Sequence, residues 1–199
     1  MSEGRHRLGG EVVRGTDISS AGRALAVRKR RELGTKRKVR IIAANGAGMT
    51  GAEAERFLPE SRSVIKLGTV DASGDPMVHP VWYCFEPGRG LYAMVGSGTR
   101  KLANIEKRRR LYFLVDDDRW PYRGVRGKGE ATVLPKGPEA MAIVEKIVAR
   151  YIKKDHPLFQ QYYGGVENGS YVVVRIAPRY LSTWDYGKMP RSVLSAGLK

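Results

Sequence analysis

The stretch Gly96-Ser-Gly-Thr-Arg-Lys101 has the residue types needed to hold a phosphate. It lies between an apolar, strand-like run over 91–95 and a segment over 102–107 that reads as helix. A glycine-rich turn feeding a helix start leaves backbone N–H groups without intrahelical acceptors, and the helix dipole adds positive potential there. Thr99 brings a hydroxyl donor, and Arg100 and Lys101 bring two cations. The same residues also suit an ordinary helix start with solvated charges, since glycines alone are weak evidence. The phosphate reading points to a phosphorylated cofactor.

Other chemistry is sparse. His6, His79 and His156 are far apart and Cys84 is the sole cysteine, so no metal-ligand spacing exists and no structural zinc is expected. One cysteine excludes an internal disulfide and fits a reducing cytoplasm. Cys84 reads as a small buried apolar residue. No Ser/His/Asp set or paired carboxylates stand out, so no catalytic residue is named.

These residues need a scaffold. Of 199 residues, 42% are hydrophobic, which supports a packed core and argues against wholesale disorder. No run nears the ~18 apolar residues of a membrane helix, and no secretory leader pattern is visible. A cytoplasmic protein with no membrane partner is expected. Net charge is +16; residues 1–48 carry 12 Lys/Arg against 4 Asp/Glu, and residues 49–199 carry 24 against 16. A quarter of the chain thus holds half the excess charge. Residues 1–48 read as a flexible basic tail and 49–199 as the domain. The clusters Arg28-Lys-Arg-Arg31 and Lys36-Arg-Lys-Val-Arg40 suit nonspecific contact with nucleic-acid or lipid phosphates. They equally suit a solvated tail without a partner. Met49 would also serve as a start, with Thr50 capping a helix over 51–58; residues 1–48 are then an extension.

A second glycine motif points to a different chemistry. Residues 39–44 look like a strand, Gly46-Ala-Gly-Met-Thr-Gly51 matches G-x-G-x-x-G, and Asp71 lies 20 residues further on. That spacing is a dinucleotide-binding fingerprint and would imply an NAD(P)-binding Rossmann enzyme. The downstream sequence speaks against it. Asp71-Ala-Ser-Gly-Asp-Pro76 reads as a hairpin turn, and short strands succeed it without strand–helix alternation.

Strands are expected over 63–70, 77–85 with Pro80 at a bulge or an unpaired N–H position, 91–95, 110–116 and 123–134. Gly124, Gly127 and Gly129 in the last of these suggest a bulge or close approach to a ligand. A further strand runs over 171–176 and continues over 180–184 after Pro178. Helices are expected over 99–108 and 139–154, the latter with Ile143, Val144, Ile147, Val148 and Tyr151 on one face. Six or more short antiparallel strands with few helices predict a closed, mainly β barrel.

Residues 56–187 resemble the pyridoxamine-phosphate-oxidase-like family of FMN-binding split β-barrels. The carriers are the hairpin Leu67-Gly-Thr-Val-Asp-Ala-Ser-Gly-Asp-Pro76, then Val78-His-Pro-Val-Trp-Tyr83 and Thr99-Arg-Lys-Leu-Ala-Asn104. Pro121-Tyr-Arg-Gly-Val-Arg-Gly127 and Trp184-Asp-Tyr-Gly187 complete them. Order and spacing together make the match specific, and the sequence is most similar to the branch containing deazaflavin-dependent enzymes. The resemblance implies a homodimer with two cofactor sites at the subunit interface. It implies that Thr99, Arg100 and Lys101 hold the cofactor phosphate. It also implies that His79, Pro80, Val81 and Trp82 lie along the ring and phosphate, and that Arg123 reaches the cofactor of the other subunit. The position matching His79 is an arginine in the vitamin-processing oxidases, and their C-terminal substrate-binding arginine and histidine find no convincing match. Oxidation of pyridoxamine phosphate itself is therefore not expected.

His79 could equally be an ordinary strand histidine, and Trp82 or Trp184 core or interface aromatics. Lys107-Arg-Arg-Arg110 is either a solvated helix end or an attractor for the acidic tail of a deazaflavin coenzyme. The expected function is an oxidoreductase that uses FMN, or the deazaflavin coenzyme F-420, to pass a hydride to or from a small-molecule substrate. The alternatives are a non-catalytic flavin-binding protein and a nucleic-acid-binding protein acting through residues 1–48.

Overall fold

The computed structural model describes residues 39–43 and 47–195. The tail readings for residues 1–38 lie outside them. Eight strands form one curled sheet, a split barrel, with helices packed around it. In chain order the elements are β1 Arg40–Ala43, α1 Gly51–Glu60, β2 Ile65–Val70, β3 Pro76–Val81, β4 Tyr83–Glu86 and β5 Gly90–Gly96. Next come α2 Arg100–Lys107, β6 Arg110–Asp117, β7 Arg123–Val133, α3 Pro138–Tyr151, α4 Pro157–Glu167 and β8 Tyr171–Asp185. A 3-10 turn, Tyr186–Lys188, and a short α5, Arg191–Ser195, close the described chain.

The strand order is β3-β2-β6-β7-β8-β5-β4, all antiparallel, with β1 added parallel to β8. The 15-residue β8 serves three partners. It pairs with β7 along its length, with β5 through Tyr171–Ile176, and with β1 through Tyr180–Thr183. The register shifts between Lys128 and Gly129, opposite Pro178. The extra residue is Arg179 of β8, so the bulge lies on the partner of the strand whose glycines suggested one, and it lets β8 turn a barrel corner. The glycines of β7 admit neighbours inside the chain. A Cβ on Gly124 would lie 2.3 Å from the Trp184 ring, and one on Gly127 2.2 Å from the Tyr180 carbonyl oxygen.

The barrel interior is filled by residues such as Ile65, Leu67, Leu91, Val95, Phe113, Val125 and Ile176. Burying each such side chain contributes ~1.5–3 kcal/mol. A second apolar layer lies between the sheet and α3 and α4. There Tyr92 and Met94 of β5 meet Ile143, Val144, Ile147, Phe159 and Val166. Strand β5 is thus buried on both faces. Cys84 belongs to this second layer, as its apolar reading requires.

Thr50 caps helix α1 as the sequence reading expects, and the structure adds Glu53 to complete a capping box. Thr50 N–H donates to Glu53 Oε2 at 2.7 Å, and Glu53 N–H donates to Thr50 Oγ1 at 3.3 Å. Its C-terminus has neither a glycine nor a basic residue of its own. Arg150, from the end of α3, supplies the missing donors. It donates to the carbonyls of Leu58, Pro59 and Ser61 and to the Tyr83 hydroxyl.

Four expectations change. The single strand over 77–85 is two, β3 and β4, interrupted at Trp82, because β3 pairs with β2 and β4 with β5. Helix α4 is an addition to the expected elements. Strand β1 falls within the stretch assigned to the tail, yet it joins the sheet, and Met49 lies in the barrel core. The Rossmann alternative is overturned. Among the described residues β1 and β2 form no parallel pair, since β2 lies between β3 and β6. The Asp71 carboxylate is spent in the β2–β3 turn, accepting from the N–H groups of Ser73 and Asp75. No helix among the described residues is long and apolar enough to cross a membrane.

Candidate functional site

The turn from β5 into α2 is built by its own side chains. Gly98 takes φ +71°, a conformation glycine adopts without strain. Thr99 is the N-cap of α2: its hydroxyl accepts from Leu102 N–H at 3.4 Å and donates to the Gly96 carbonyl at 2.8 Å. Its proton is thus used inside the turn. Thr99 shapes the helix start, while charge comes from its neighbours. Arg100 is exposed and Lys101 half-buried. Among the described residues neither forms an ion pair. Their backbone N–H groups fall in the first turn, where no intrahelical acceptor exists.

Helix α2 docks against the β2–β3 hairpin. Asn104 is buried and donates through Nδ2 to Thr69 Oγ1 at 3.2 Å, with Met77 Sδ at 3.7 Å. Arg108 donates through Nη1 to the carbonyls of Val70 and Asp71. Lys101 and Asn104 are three residues apart on the helix and share a face, while Met77 and His79 are two apart on the strand and do likewise. The docking that brings Asn104 to Met77 therefore brings Lys101 toward His79.

Electrostatics agrees. Burial first, and then the Lys101 ammonium, hold the His79 imidazole below its usual range. His79 Nε2 is buried and has no hydrogen-bond partner among the described residues. An imidazole with an orphaned nitrogen in the field of the Lys101 ammonium is what an anionic, hydrogen-bonding ligand would complete. The residues present fit a phosphate-bearing cofactor.

Of the other expected site residues, Pro80, Val81 and Trp82 directly follow His79, while Arg123 lies apart at the start of β7. Pro80 is exposed on β3, the outer strand, where its missing N–H leaves no gap in the sheet. Val81 packs against the barrel core. Trp82 sits at the break between β3 and β4. Its ring stacks on Tyr151 (centroids 5.1 Å apart, 13° between planes) and meets Tyr162 at 4.7 Å. The ring that the family pattern lays along a cofactor is thus packed by two helical tyrosines. Arg123, at the start of β7, has its guanidinium 5.3 Å from the centre of the Phe57 ring. Its Nε lies 3.8 Å from Asp117 Oδ2, on a cavity of ≈ 390 Å³ shared with Arg119, Trp120 and Asp185. Neither Lys101 nor His79 lines this cavity. Sequence reading missed Asn104, whose amide fastens the helix to the hairpin. A polar residue three positions after the expected phosphate-binding lysine was the available signal.

The sequence pattern of the pyridoxamine 5'-phosphate oxidase family matches residues 50–185. No curated protein matches closely enough to count as a relative. Among solved structures, a conserved hypothetical protein from Mycobacterium tuberculosis superposes with a TM-score of 0.61 at 24% identity, over 71% of this chain and 89% of that one. A protein described as an F-420 reductase gives 0.50 at 21% identity, over 64% and 94%. These likenesses establish the same fold. With the family pattern spanning both β3 and the α2 turn, the chain belongs to the pyridoxamine 5'-phosphate oxidase family.

Proposed function

We propose that this protein is an oxidoreductase that binds FMN or a deazaflavin coenzyme through the start of α2. The observation that carries the reading is the buried Nε2 of His79, without a partner among the described residues, in the field of the Lys101 ammonium. Arg100 and Lys101, with the first-turn N–H groups of α2, would neutralise the cofactor phosphate. His79 would hydrogen-bond the ligand, and the backbone of Pro80 and Val81 would flank the ring. The cofactor supplies the hydride chemistry; the protein supplies orientation and exclusion of water. The F-420 reductase among the structural neighbours supports keeping deazaflavin beside FMN. Arg123 would act on the site of a second copy, so the working unit on this reading is a homodimer.

The test is the absorption spectrum of the purified protein, with mass analysis of whatever denaturation releases, and then titration with FMN and with F-420. A flavin or deazaflavin spectrum, or saturable binding of either compound, is expected. Arg100→Ala and Lys101→Ala should each weaken retention about 10- to 100-fold, the cost of one charge-assisted contact of ~1.5–3 kcal/mol. Unchanged affinity in both variants would remove the phosphate assignment. Cofactor bound without turnover against any reductant or acceptor would favour the carrier alternative.

A further inference from the structure

Helix α2 carries the two cations of the candidate site, yet its eight residues are too few to hold a helix in place by themselves. Packing against the barrel does that. Leu102 and Ile105 enter the core, and apolar contact of this kind has no preferred direction. It keeps the helix on the barrel without fixing its rotation or its slide. Asn104 is the one buried polar side chain of α2. A leucine there would bury more apolar surface and desolvate no amide, so the amide supplies direction rather than adhesion.

The partners of Asn104 form a single cross-strand pair. Thr69 of β2 and Met77 of β3 stand opposite each other in the ladder, and Asn104 Nδ2 reaches Thr69 Oγ1 at 3.2 Å and Met77 Sδ at 3.7 Å. Thr69 is itself buried, so water does not compete for its hydroxyl oxygen. The next pair on the same face of that ladder, two residues along each strand, is Leu67 with His79. On the helix, Lys101 lies one turn before Asn104. Three helical residues rise ~4.5 Å and two strand residues ~6.8 Å, so the steps are comparable. The lowered titration of His79, caused first by burial and then by the Lys101 ammonium, is the trace of that juxtaposition. The other polar tie of α2 to the hairpin runs from Arg108 to the carbonyls of Val70 and Asp71. Arg108 is exposed and lies one turn beyond Asn104, on the side away from Lys101. It pins the C-terminus of α2 and leaves the first turn to Asn104.

We propose that Asn104 is the positioning residue of the candidate site: its amide sets where Lys101 stands relative to His79, and so sets the affinity for a phosphate-bearing cofactor. The link to cofactor affinity rests on the cofactor reading, whereas the control of Lys101 does not.

The test is the titration of His79 in the ligand-free full chain, followed by the NMR signal of its ring Hε1 proton and assigned by its loss in His79→Gln. Asn104→Leu keeps the packing volume and removes the donor. His79 should then titrate closer to its ordinary range, as it should in Lys101→Met. The two changes together should raise it no further than Lys101→Met alone, because Asn104 acts through that lysine. Thr69→Val removes the acceptor and should reproduce Asn104→Leu; Thr69→Ser retains it and should leave the titration where it is. Ile105→Val loosens the same helix without touching the amide and should also leave it there. Urea unfolding checks that each variant folds. FMN gives a second readout, with riboflavin as the probe that lacks the phosphate. Asn104→Leu should weaken FMN binding at least about fivefold and riboflavin binding less than about twofold.

A His79 titration unmoved by Asn104→Leu overturns the inference. So does a rise of equal size with and without Lys101, or one matched by Ile105→Val, since either assigns Asn104 to stability alone. Equal losses for FMN and riboflavin overturn the link to phosphate. A wild-type chain that binds neither FMN nor F-420 removes the cofactor reading and the affinity link with it; the positioning of Lys101 then stands or falls on the His79 titrations.

Discussion

Replacing Arg150 by Met should destabilise the domain by about 3 kcal/mol. The magnitude comes from what the guanidinium holds. It donates to Pro59 O at 2.6 Å, Leu58 O at 2.9 Å and the Tyr83 hydroxyl at 3.1 Å, and also to Ser61 O. It lies over the Tyr83 ring, 4.6 Å from its centre. Methionine keeps much of the apolar stem and removes every donor. A hydrogen bond from a charged group is worth about 1.5–3 kcal/mol, and a cation over an aromatic ring adds about 0.5–1. The four bonds do not add, because Arg150 is half-exposed and water can reach some of the freed carbonyls. One fully lost charged bond and one poorly rehydrated carbonyl account for the ~3 kcal/mol. In a domain of this size that lowers Tm by about 6–12 °C. Arg150→Lys keeps the charge but not the fork, and should lose about half as much. Thermal and urea unfolding measure both. A loss under about 1 kcal/mol for the Met variant, with an unchanged urea slope, would show that α1 does not depend on this clamp.

His79 titrates below its ordinary value of ~6.5 in the folded chain. As pH falls through that window the unfolded state binds more protons, so the ligand-free protein should lose stability. His79→Gln should flatten this dependence in unfolding measured between about pH 5 and 7, and phosphate bound at Lys101 should do the same. Gly124→Ala places a methyl where the Trp184 ring lies and should cost ~1–3 kcal/mol; an unshifted tryptophan emission spectrum would refute the clash. The Cys84 thiol is pushed up to about 12, mainly by burial, so it should react with thiol reagents only on the unfolding timescale. Rapid labelling of the native protein would contradict that.

The readable parts of this chain were those governed by local rules. The strands around 65–70, 91–95 and 110–116 obey β-branched and apolar composition bounded by turn residues, and α3 obeys its apolar face. The phosphate-type turn was equally visible, because glycines, a cap and two cations are adjacent in sequence. Helix α4 was hidden by Gly164, Gly165 and two neighbouring tyrosines, all poor helix formers. Packing of Phe159 and Val166 into the second apolar layer decides its state. Trp82 illustrates a different limit. The apolar run through 77–85 looks continuous, and only the change of partner from β2 to β5 breaks it. The approach of Lys101 to His79 was invisible for the same reason, since it depends on how α2 docks against the hairpin.

The triple role of β8 has a consequence for how the protein is made. It is the final strand of the described chain, and β1, β5 and β7 all wait for it. During synthesis each presents an unpaired edge until residues 171–185 emerge, so the barrel cannot close progressively from the N-terminus. Pairings of such long sequence separation form slowly, and open edges in the interim invite intermolecular pairing. A ribosome stall or nonsense codon before Tyr171 would therefore release an aggregation-prone chain, not a smaller folded domain.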